Sequence, residues 1–375
     1  MKALCIILFI EIVNAFASIT TKYFNSKPLC LRLSHCINEA DPQNNKDLLV
    51  VGASITGIGG RIIKSHRLNF PNATIVGETL TSSNHEYLRK LNCIPRLCNE
   101  SHIEMFNNVI ISVPAYKNTS QEYNNYYKSI VKNAISRWNK NGKLVFASSG
   151  GVYKENKGNY VTEDSEINTE HILYDCEQLI KNAGGTSLRF AALYGFNKGD
   201  FWNYLKYDKI NVNPNMIIEM CNYDDAASAF MTILNTNQTL VAKKVFNVCD
   251  GRSKTIKEIL LNCIKVYEYS GANVPDMTGN NTNLGKKYNI TNIQKLGWTP
   301  RWKSFESWCR TYSYIQNPAS NAIVFYNERK IKDTVEKKYS IQNIDDVRHE
   351  TLLICIQFFA FVFVELYLFL LPTHK

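Results

Sequence analysis

The sequence predicts an α/β protein built on a doubly wound parallel sheet, followed by a small C-terminal α/β lobe. From Asp47 onward, short apolar segments alternate with helical patterns, which is typical of a parallel sheet covered by helices on both faces. The first apolar segment, Leu48 to Val51, is continuous and leads at once into glycines. A continuous apolar run is typical of a strand buried on both faces.

The elements of this sheet are predicted in chain order, with helical spacing between successive strands. Strands are predicted at residues 48–51, 73–78, 107–115 and 143–149, with a further strand and loop at 186–195. Helices are predicted at residues 61–70, 85–91, about 120–138 and 172–181. We expect one domain over residues 47–316, with the sheet core reaching to about residue 200 and the smaller lobe interleaved after it.

The first 46 residues have the character of a targeting leader. Residues 1–17 combine Lys2, an apolar run and the small-x-small sequence Ala15-Phe16-Ala17, which is typical of a signal peptide. Residues 18–46 carry basic and hydroxyl residues and no acid before Glu39, as transit peptides do. The order predicts a bipartite leader that takes the protein through the secretory route to a plastid. Simple secretion with an unstructured leader is the alternative.

The last 59 residues are predicted to form a linker and a membrane anchor. Residues 317–350 mix charges with scattered apolar residues and are typical of a linker. Residues 351–372 hold about enough apolar side chains to span a bilayer, although Gln357 and Glu365 interrupt them. A central Glu costs several kcal/mol in hydrocarbon. The alternatives to a transmembrane helix are a helix packed on the domain and an error in the gene model.

The net charge and the cysteine pattern limit which partners and metal sites the sequence supports. The net charge of +10 is explained by a lysine-rich solvated surface or by a patch facing RNA or a membrane. The basic residues are dispersed, which does not favour nucleic acid as a partner. The eleven cysteines include no Cys-x-x-Cys pair, which argues against a disulfide framework and a zinc site. We therefore predict no metal site.

A glycine turn follows the first strand. Gly52-x-Ser54-x-x-Gly57 matches the dinucleotide fingerprint with serine at its second position, and it lies between a predicted strand and a predicted helix, as in the Rossmann fold. The backbone N–H groups at such a helix end favour a phosphate. The serine either bonds that phosphate or weakens its binding. The predicted contacts to NAD or NADP in this turn are Gly52, Ser54, Ile55, Thr56 and Gly57.

The end of the second strand bears on which cofactor binds. Glu78 stands there, where an acid holds the ribose hydroxyl of NAD. A solvated loop charge is the other interpretation of Glu78. Since no arginine stands beside it for a 2′-phosphate, the choice between NAD and NADP stays open.

Five later segments carry recognisable motifs: KLVFASSGGVY from Lys143, LRFAALYG from Leu188, NYDDAASAF from Asn222, KVFNVCDG from Lys244 and YNITNIQKLGWTPRW from Tyr288. They resemble motifs of the extended short-chain dehydrogenases, the NAD-dependent epimerase/dehydratase type. They occur in the family's order between about Asp47 and Tyr312. The chain is most similar to the atypical plant-plastid and bacterial branch, whose members are described only as NAD(P)-binding Rossmann-fold proteins.

The resemblance implies further site residues and a small-molecule substrate that the sequence does not identify. It implies cofactor contacts at Val113, Pro114, Phe190 and Ala192, and catalytic roles for Ser148, Ser149 and Tyr153. Active members also use a tyrosine as general acid/base and a lysine one helical turn later. Matching EQLI of this chain to the family's A-E-Q-L places these two positions at Thr169 and Leu173.

Neither side chain has the required chemistry, and the two residues that follow do not replace them. Tyr174 is displaced by five positions, and Gln178, four residues after it, carries no positive charge. Three functions stay open. The first is an oxidoreductase or epimerase that uses another acid, with Tyr153 the nearest. The second is a nucleotide-binding sensor or scaffold without turnover. The third is an RNA-associated protein.

Four further features have structural interpretations. The insert at 201–220 either walls a substrate pocket with Phe201, Trp202 and Tyr204 or packs the small lobe with them. Before the apolar helical run AASAFMTIL, Asp224 is predicted to be the N-cap and Asp225 a first-turn charge. Arg189 is predicted to tie a strand to a helix. His171 is predicted to lie at the surface.

Overall fold

The computed structural model describes residues 46–100, 102–115, 120–195, 201–267, 273–280 and 282–316. The predicted signal peptide, linker and membrane segment, residues 1–17, 317–350 and 351–372, lie outside these residues, as does all of 18–46 except Lys46. No helix within the described ranges combines the length and apolarity needed to cross a bilayer.

The described chain forms a seven-stranded parallel sheet and three smaller sheets. The strands are β1 (Leu48–Val51), β2 (Ile75–Thr79), β3 (Ile94–Leu97), β4 (Asn108–Ile111), β5 (Leu144–Ser149), β6 (Lys157–Val161), β7 (Thr186–Phe190), β8 (Ala192–Tyr194), β9 (Lys209–Ile210), β10 (Ile217–Ile218), β11 (Met220–Asn222), β12 (Val245–Val248), β13 (Lys254–Thr255), β14 (Asp276–Met277) and β15 (Gly285–Tyr288). The main sheet has the order β3-β2-β1-β4-β5-β7-β12. It confirms the predicted fold class.

Helices connect these strands and cover the main sheet. They are α1 (Ile58–Asn69), α2 (His85–Lys90), α3 (Gln121–Ser136), α4 (Ile172–Ala183), α5 (Tyr223–Asn235), α6 (Gln238–Val241), α7 (Ile256–Tyr267), α8 (Thr291–Gln294) and α9 (Phe305–Gln316). Short 3₁₀ helices lie at Ser82–Asn84, Gly150–Val152 and Phe201–Lys206.

The two faces of the main sheet bury alternate residues of each strand, as strand geometry requires. Leu48 and Val50 of β1 pack with Ile62 of α1 and Phe230 of α5. Leu49 and Val51 belong to the other core cluster, which includes residues of α3 and α4. Helices therefore cover both faces, and the carboxyl ends of the strands form one edge, where ligands bind in folds of this kind.

Strand β3 is present in the structure but is not predicted from the sequence, and its own residues explain why. Its sequence IPRL is partly exposed and contains Pro95, which has no N–H to donate. Proline is tolerated in a strand at the edge of a sheet, and β3 is an edge strand that pairs only with β2 in the main sheet.

Two aromatic residues of the insert, Phe201 and Tyr204, pack the small lobe. The ring of Phe201 lies 5.9 Å from that of Phe305 in an edge-on contact. Tyr204 packs against the cluster that contains Ile210 and Leu260. The side chain of Trp202 lies outside the described set. The packing interpretation therefore holds for Phe201 and Tyr204.

Of the two acids at the start of α5, Asp225 lies in the first turn as predicted, whereas Asp224 does not have its predicted role. The N-cap is Asn222, whose side chain accepts from the Asp224 N–H, so the prediction of Asp224 as N-cap is wrong. Asp225 is only 2% exposed and accepts hydrogen bonds from the N–H groups of Arg301 (2.7 Å) and Trp302 (3.0 Å). Asp225 therefore anchors the segment that follows Trp298.

Candidate functional site

The glycine turn joins β1 to α1 and is held by backbone hydrogen bonds. The N–H groups of Gly52 and Ala53 donate to the carbonyl of Glu78, at 3.0 and 2.9 Å, which ties the turn to β2. The carbonyl of Ser54 accepts from Gly57 and Gly60, both at 3.0 Å. These bonds give the turn a defined shape beside the carboxyl end of β1.

The glycines of the turn do not share one role. Gly52 has a φ of +91°, and a Cβ there would lie 2.8 Å from the backbone of Ser112. A Cβ on Gly59 would lie 2.3 Å from the Gly52 carbonyl oxygen, whereas one on Gly57 would make an ordinary 3.4 Å contact with Ser54. The close approach of helix to strand therefore depends on Gly59, whereas the fingerprint assigns it to Gly57. Gly57 is the N-cap of α1.

The start of α1 suits an anion. The first N–H groups of a helix have no acceptor within it, and no side chain caps α1 and no acid stands in its first turn. The side chain of Thr56 is exposed, whereas Ser54 and Ile55 are partly buried. The Oγ atoms of Ser54 and Thr56 lie 3.4 Å apart. A phosphate here would meet backbone donors and hydroxyls.

Arg61 stabilises the glycine turn through hydrogen bonds, although it is not part of the sequence motif. Its Nη1 donates to the carbonyls of Thr56 and Gly57, both at 2.9 Å, and its Nε pairs with Asp224 at 2.6 Å. The guanidinium thus links the turn to α5. An arginine so close to a helix N-terminus opposes the helix dipole, and this mismatch is the signal that identifies it.

The residues after β4 lie beside the glycine turn, because β4 pairs with β1. Ser112 Oγ donates to the Gly52 carbonyl at 3.1 Å. The carbonyl of Val113 accepts from the Tyr127 hydroxyl at 2.8 Å, and Pro114 is exposed. The predicted contacts Val113 and Pro114 are therefore brought to the same edge as Gly52.

Glu78 is neither a solvated charge nor open to a ribose. Its carboxylate is buried and pairs with Arg137 at 2.6 Å, and both side chains are almost fully covered. Arg137 follows the last turn of α3. The partner stands 59 residues along the chain, so the local sequence gives no sign of it.

Ser148 belongs to a buried polar network under α4. Its Oγ donates to Glu177 Oε1 at 2.5 Å. Arg189 binds the same carboxylate through two nitrogens, at 2.9 and 2.7 Å. Glu177 is 1% exposed. The predicted role of Arg189 in tying a strand to a helix is confirmed, and Ser148 supports that link.

Tyr153 lies in the same network. It is 3% exposed, and its hydroxyl donates to Asn247 Oδ1 at 2.7 Å and accepts from Arg189 at 3.0 Å. Burial raises the pKa of Tyr153, and the neighbouring guanidinium of Arg189 partly opposes this effect. Both hydrogen-bonding directions of the hydroxyl are filled by protein groups, so the structure does not present Tyr153 to a substrate.

The positions of the family's tyrosine and lysine carry no catalytic group. Thr169 is exposed in a turn, and α4 begins only at Ile172, so residue 169 is not on the helix. Leu173 is buried in the core. Tyr174 and Gln178 are partly buried on α4.

Ser149 and His171 flank an exposed glycine at the end of β5. Ser149 Oγ accepts from the Gly151 N–H at 3.1 Å. His171, which was predicted to lie at the surface, is partly buried, and its Nδ1 accepts from the Leu173 N–H at 3.2 Å. A Cβ placed on Gly151 would lie 3.4 Å from Ser149 Oγ and 3.6 Å from His171 Nε2. Both side chains therefore border one point at the strand edge.

The last two predicted contacts differ in exposure. Phe190 is buried, and its ring stacks on Phe230 with centroids 5.8 Å apart. Its side chain belongs to the core rather than to the cleft. Ala192 is exposed at the start of β8.

Comparison with known proteins supports the fold. No family model and no curated protein matches the chain. A UDP-glucose 4-epimerase from Thermotoga maritima, solved with UDP-glucose, matches with 17% identity and a TM-score of 0.56, over 73% of this chain and 100% of that one. A UDP-glucuronic acid 4-epimerase from Bacillus cereus, solved with NAD, matches with 16% identity and a TM-score of 0.57, over 73% and 100%.

A short-chain dehydrogenase/reductase superfamily protein from Agrobacterium tumefaciens, solved with bound NAD, matches with 14% identity and a TM-score of 0.53, over 73% of this chain and 100% of that one. At such identities the likeness shows a shared fold. The resemblance to epimerases, dehydratases and short-chain dehydrogenases is confirmed at that level. The comparisons do not test the similarity to plant-plastid proteins.

Proposed function

We propose that the protein binds NAD or NADP across the carboxyl edge of the main sheet, with the pyrophosphate at the glycine turn. The observation that carries this proposal is the close packing of Gly59 on Gly52, which brings an uncapped helix N-terminus to the end of β1. Neighbours of the same fold that were solved with NAD support it.

The roles of the residues follow from their positions. The N–H groups of Ile58 and Gly59 open α1 and would bind the pyrophosphate, with the hydroxyls of Ser54 and Thr56 beside it. The residues after β4, Val113 and Pro114, would border the nicotinamide half. Because the Glu78 carboxylate is bound to Arg137, it neither holds a ribose hydroxyl nor repels a 2′-phosphate. We therefore expect little discrimination between NAD and NADP.

A negative charge introduced into the turn tests this proposal. Thr56→Glu places a carboxylate where the pyrophosphate would lie, and Thr56→Gln adds a side chain of similar size without charge. Thr56 is exposed, so neither change disturbs the core. Calorimetry with NADH and NADPH on the full chain should show binding weakened at least about tenfold by Thr56→Glu and little changed by Thr56→Gln. Absence of binding to the parent at millimolar cofactor would remove the proposal.

A second candidate function is hydride transfer on a small carbonyl or hydroxyl compound, and the position of Ser149 and His171 on either side of Gly151 favours it. Because His171 Nδ1 accepts a backbone N–H, the proton of the neutral ring is on Nε2. Ser149 and His171 would then both donate hydrogen bonds to a substrate oxygen beside Gly151. Such donors polarise a carbonyl without the missing tyrosine.

His171→Asn separates catalysis from folding, because asparagine is itself a good N-cap. Consumption of NADPH with a panel of aldehydes and ketones should be lost in Ser149→Ala and His171→Asn, while cofactor binding is kept. A parent that binds cofactor but turns over no compound in the panel would instead favour the nucleotide-binding sensor or scaffold.

A further inference from the structure

A polar cavity lies at the opposite end of the main sheet from β3. Its volume is about 430 Å³, within the range of small-molecule sites. Residues that follow β12 and residues of the Tyr288–Lys303 segment line it. The ones that matter chemically are Asp250, Arg252, Thr291, Thr299 and Lys303.

This cavity is distinct from the glycine turn. Asp250 follows β12, and the turn follows β1, with β7, β5 and β4 between them. Strands in a sheet lie roughly 4.8 Å apart, which separates the two regions by about 19 Å. A ligand here therefore need not contact the dinucleotide.

The cavity carries an excess of positive charge. Arg252 and Lys303 are exposed side chains on its lining, and among the described residues no carboxylate forms an ion pair with either of them. Lys287 is not part of the lining, but its Nζ lies 5.4 Å from the ring centroid of Tyr160, which is. Other arginines of the chain, such as Arg61 and Arg96, do have carboxylate partners. Arg252 and Lys303 are thus available to a ligand.

Asp250, the one acid among the described residues of the lining, does not cancel this charge. Asp250 is 7% exposed, and burial raises the pKa of its carboxyl to about 7, so much of it is neutral at neutral pH. Its Oδ1 accepts from the Arg252 N–H at 2.9 Å, which fixes the backbone of Arg252. Its Oδ2 is buried without a hydrogen-bond partner among the described residues.

We propose that this cavity binds a small phosphate-bearing molecule, with Arg252 and Lys303 as its cationic ligands and the hydroxyls of Thr291 and Thr299 beside them. Guanidinium and ammonium groups make charge-assisted hydrogen bonds to phosphate oxygens. The volume admits a phosphorylated sugar or similar metabolite as well as free phosphate. The site goes beyond the proposed dinucleotide binding and does not depend on it.

Calorimetric titration of the full chain with inorganic phosphate and with ribose 5-phosphate, at low ionic strength, tests the site. Arg252→Gln and Lys303→Gln should each weaken binding about tenfold or more, because each removes a charged hydrogen bond. Lys295→Gln is the matched control, since Lys295 is exposed in the same segment but does not line the cavity. It should change binding less than twofold, and all three variants should keep the melting temperature.

The other results of these titrations either identify the ligand or overturn the proposed phosphate site. Tighter binding of ribose 5-phosphate than of phosphate identifies an organic phosphate as the ligand, and equal or weaker binding identifies free phosphate. The proposal is overturned if the parent does not bind either probe, if both cavity variants bind like the parent, or if Lys295→Gln loses as much affinity as they do. It is also overturned if Thr56→Glu abolishes binding, because the phosphate would then be at the glycine turn. Loss of dinucleotide binding alone leaves it standing.

Discussion

Replacement of Gly59 by alanine tests how the glycine turn is built. The added Cβ would lie 2.3 Å from the Gly52 carbonyl oxygen and 3.0 Å from the Ala53 Cα. Both atoms belong to the backbone, so the strand and the helix must move apart by about 1 Å to reach ordinary contact distance. Overpacking of this kind costs about 1–3 kcal/mol.

Helix propensity acts in the opposite direction. Gly59 is within α1, where alanine is favoured over glycine by about 1 kcal/mol. A site with free space would therefore be stabilised by Gly59→Ala. An overpacking cost of about 1–3 kcal/mol less a propensity gain of about 1 kcal/mol leaves a net loss centred on about 1 kcal/mol in the free energy of unfolding, measured by urea denaturation.

Gly57→Ala is the matched control in the same turn. Gly57 has a φ of −95°, and its new Cβ would have its nearest neighbour at 3.4 Å. The weaker N-cap and the lower entropy of the unfolded chain nearly cancel, so the change should stay within about 0.5 kcal/mol. Equal stability of the two variants, or a more stable Gly59→Ala protein, would refute the assignment of the packing role to Gly59.

Two further predictions concern buried charges. Glu177→Gln leaves the buried guanidinium of Arg189 without its paired carboxylate and should lower the free energy of unfolding by about 3–5 kcal/mol. The control Glu166→Gln removes an exposed ion pair with Lys154 and should lower it by less than about 1 kcal/mol. Similar urea midpoints for the two variants would contradict this prediction. Burial raises the pKa of Asp250 from 3.8 to about 7, so its protonated form is favoured in the folded state. The stabilising effect is therefore complete below about pH 4 and lost as the pH rises to about 7. Relative to Asp250→Asn, the parent should lose stability over that window in pH-dependent thermal melts, and parallel curves would disprove the burial argument.

The main sheet was predictable because each of its central strands is short, continuous and apolar. Leu48 to Val51 is buried throughout, and such a strand carries its signal locally. The small lobe contains strands of only two residues, such as Lys209–Ile210 and Ile217–Ile218. Strands this short have no measurable alternation, so their pairing depends on contacts that are distant in sequence.

In the candidate site, too, the features set by local sequence were predictable and those set by distant partners were not. The glycine turn is local, and its position between β1 and α1 followed from the sequence. The partners of Glu78 and Tyr153 are not local: Arg137 lies 59 residues from Glu78, and Asn247 lies 94 residues from Tyr153. The chemistry of each side chain suggested a role in the cleft. Instead, the hydrogen bond to the distant partner holds the side chains of Glu78 and Tyr153 in the interior.

The late start of α4 explains why the family's acid/base pair has no counterpart here. A helix that began before residue 169 would place 169 and 173 on one face, one turn apart. Since α4 begins at Ile172 with His171 as its N-cap, residue 169 leaves that face and Leu173 packs in the core. The same change brings His171 Nε2 to Gly151, next to Ser149. If the protein transfers hydride, the group that replaces the tyrosine should therefore be found at the cap of this helix, and His171→Asn is the substitution that distinguishes a catalytic imidazole from a structural cap.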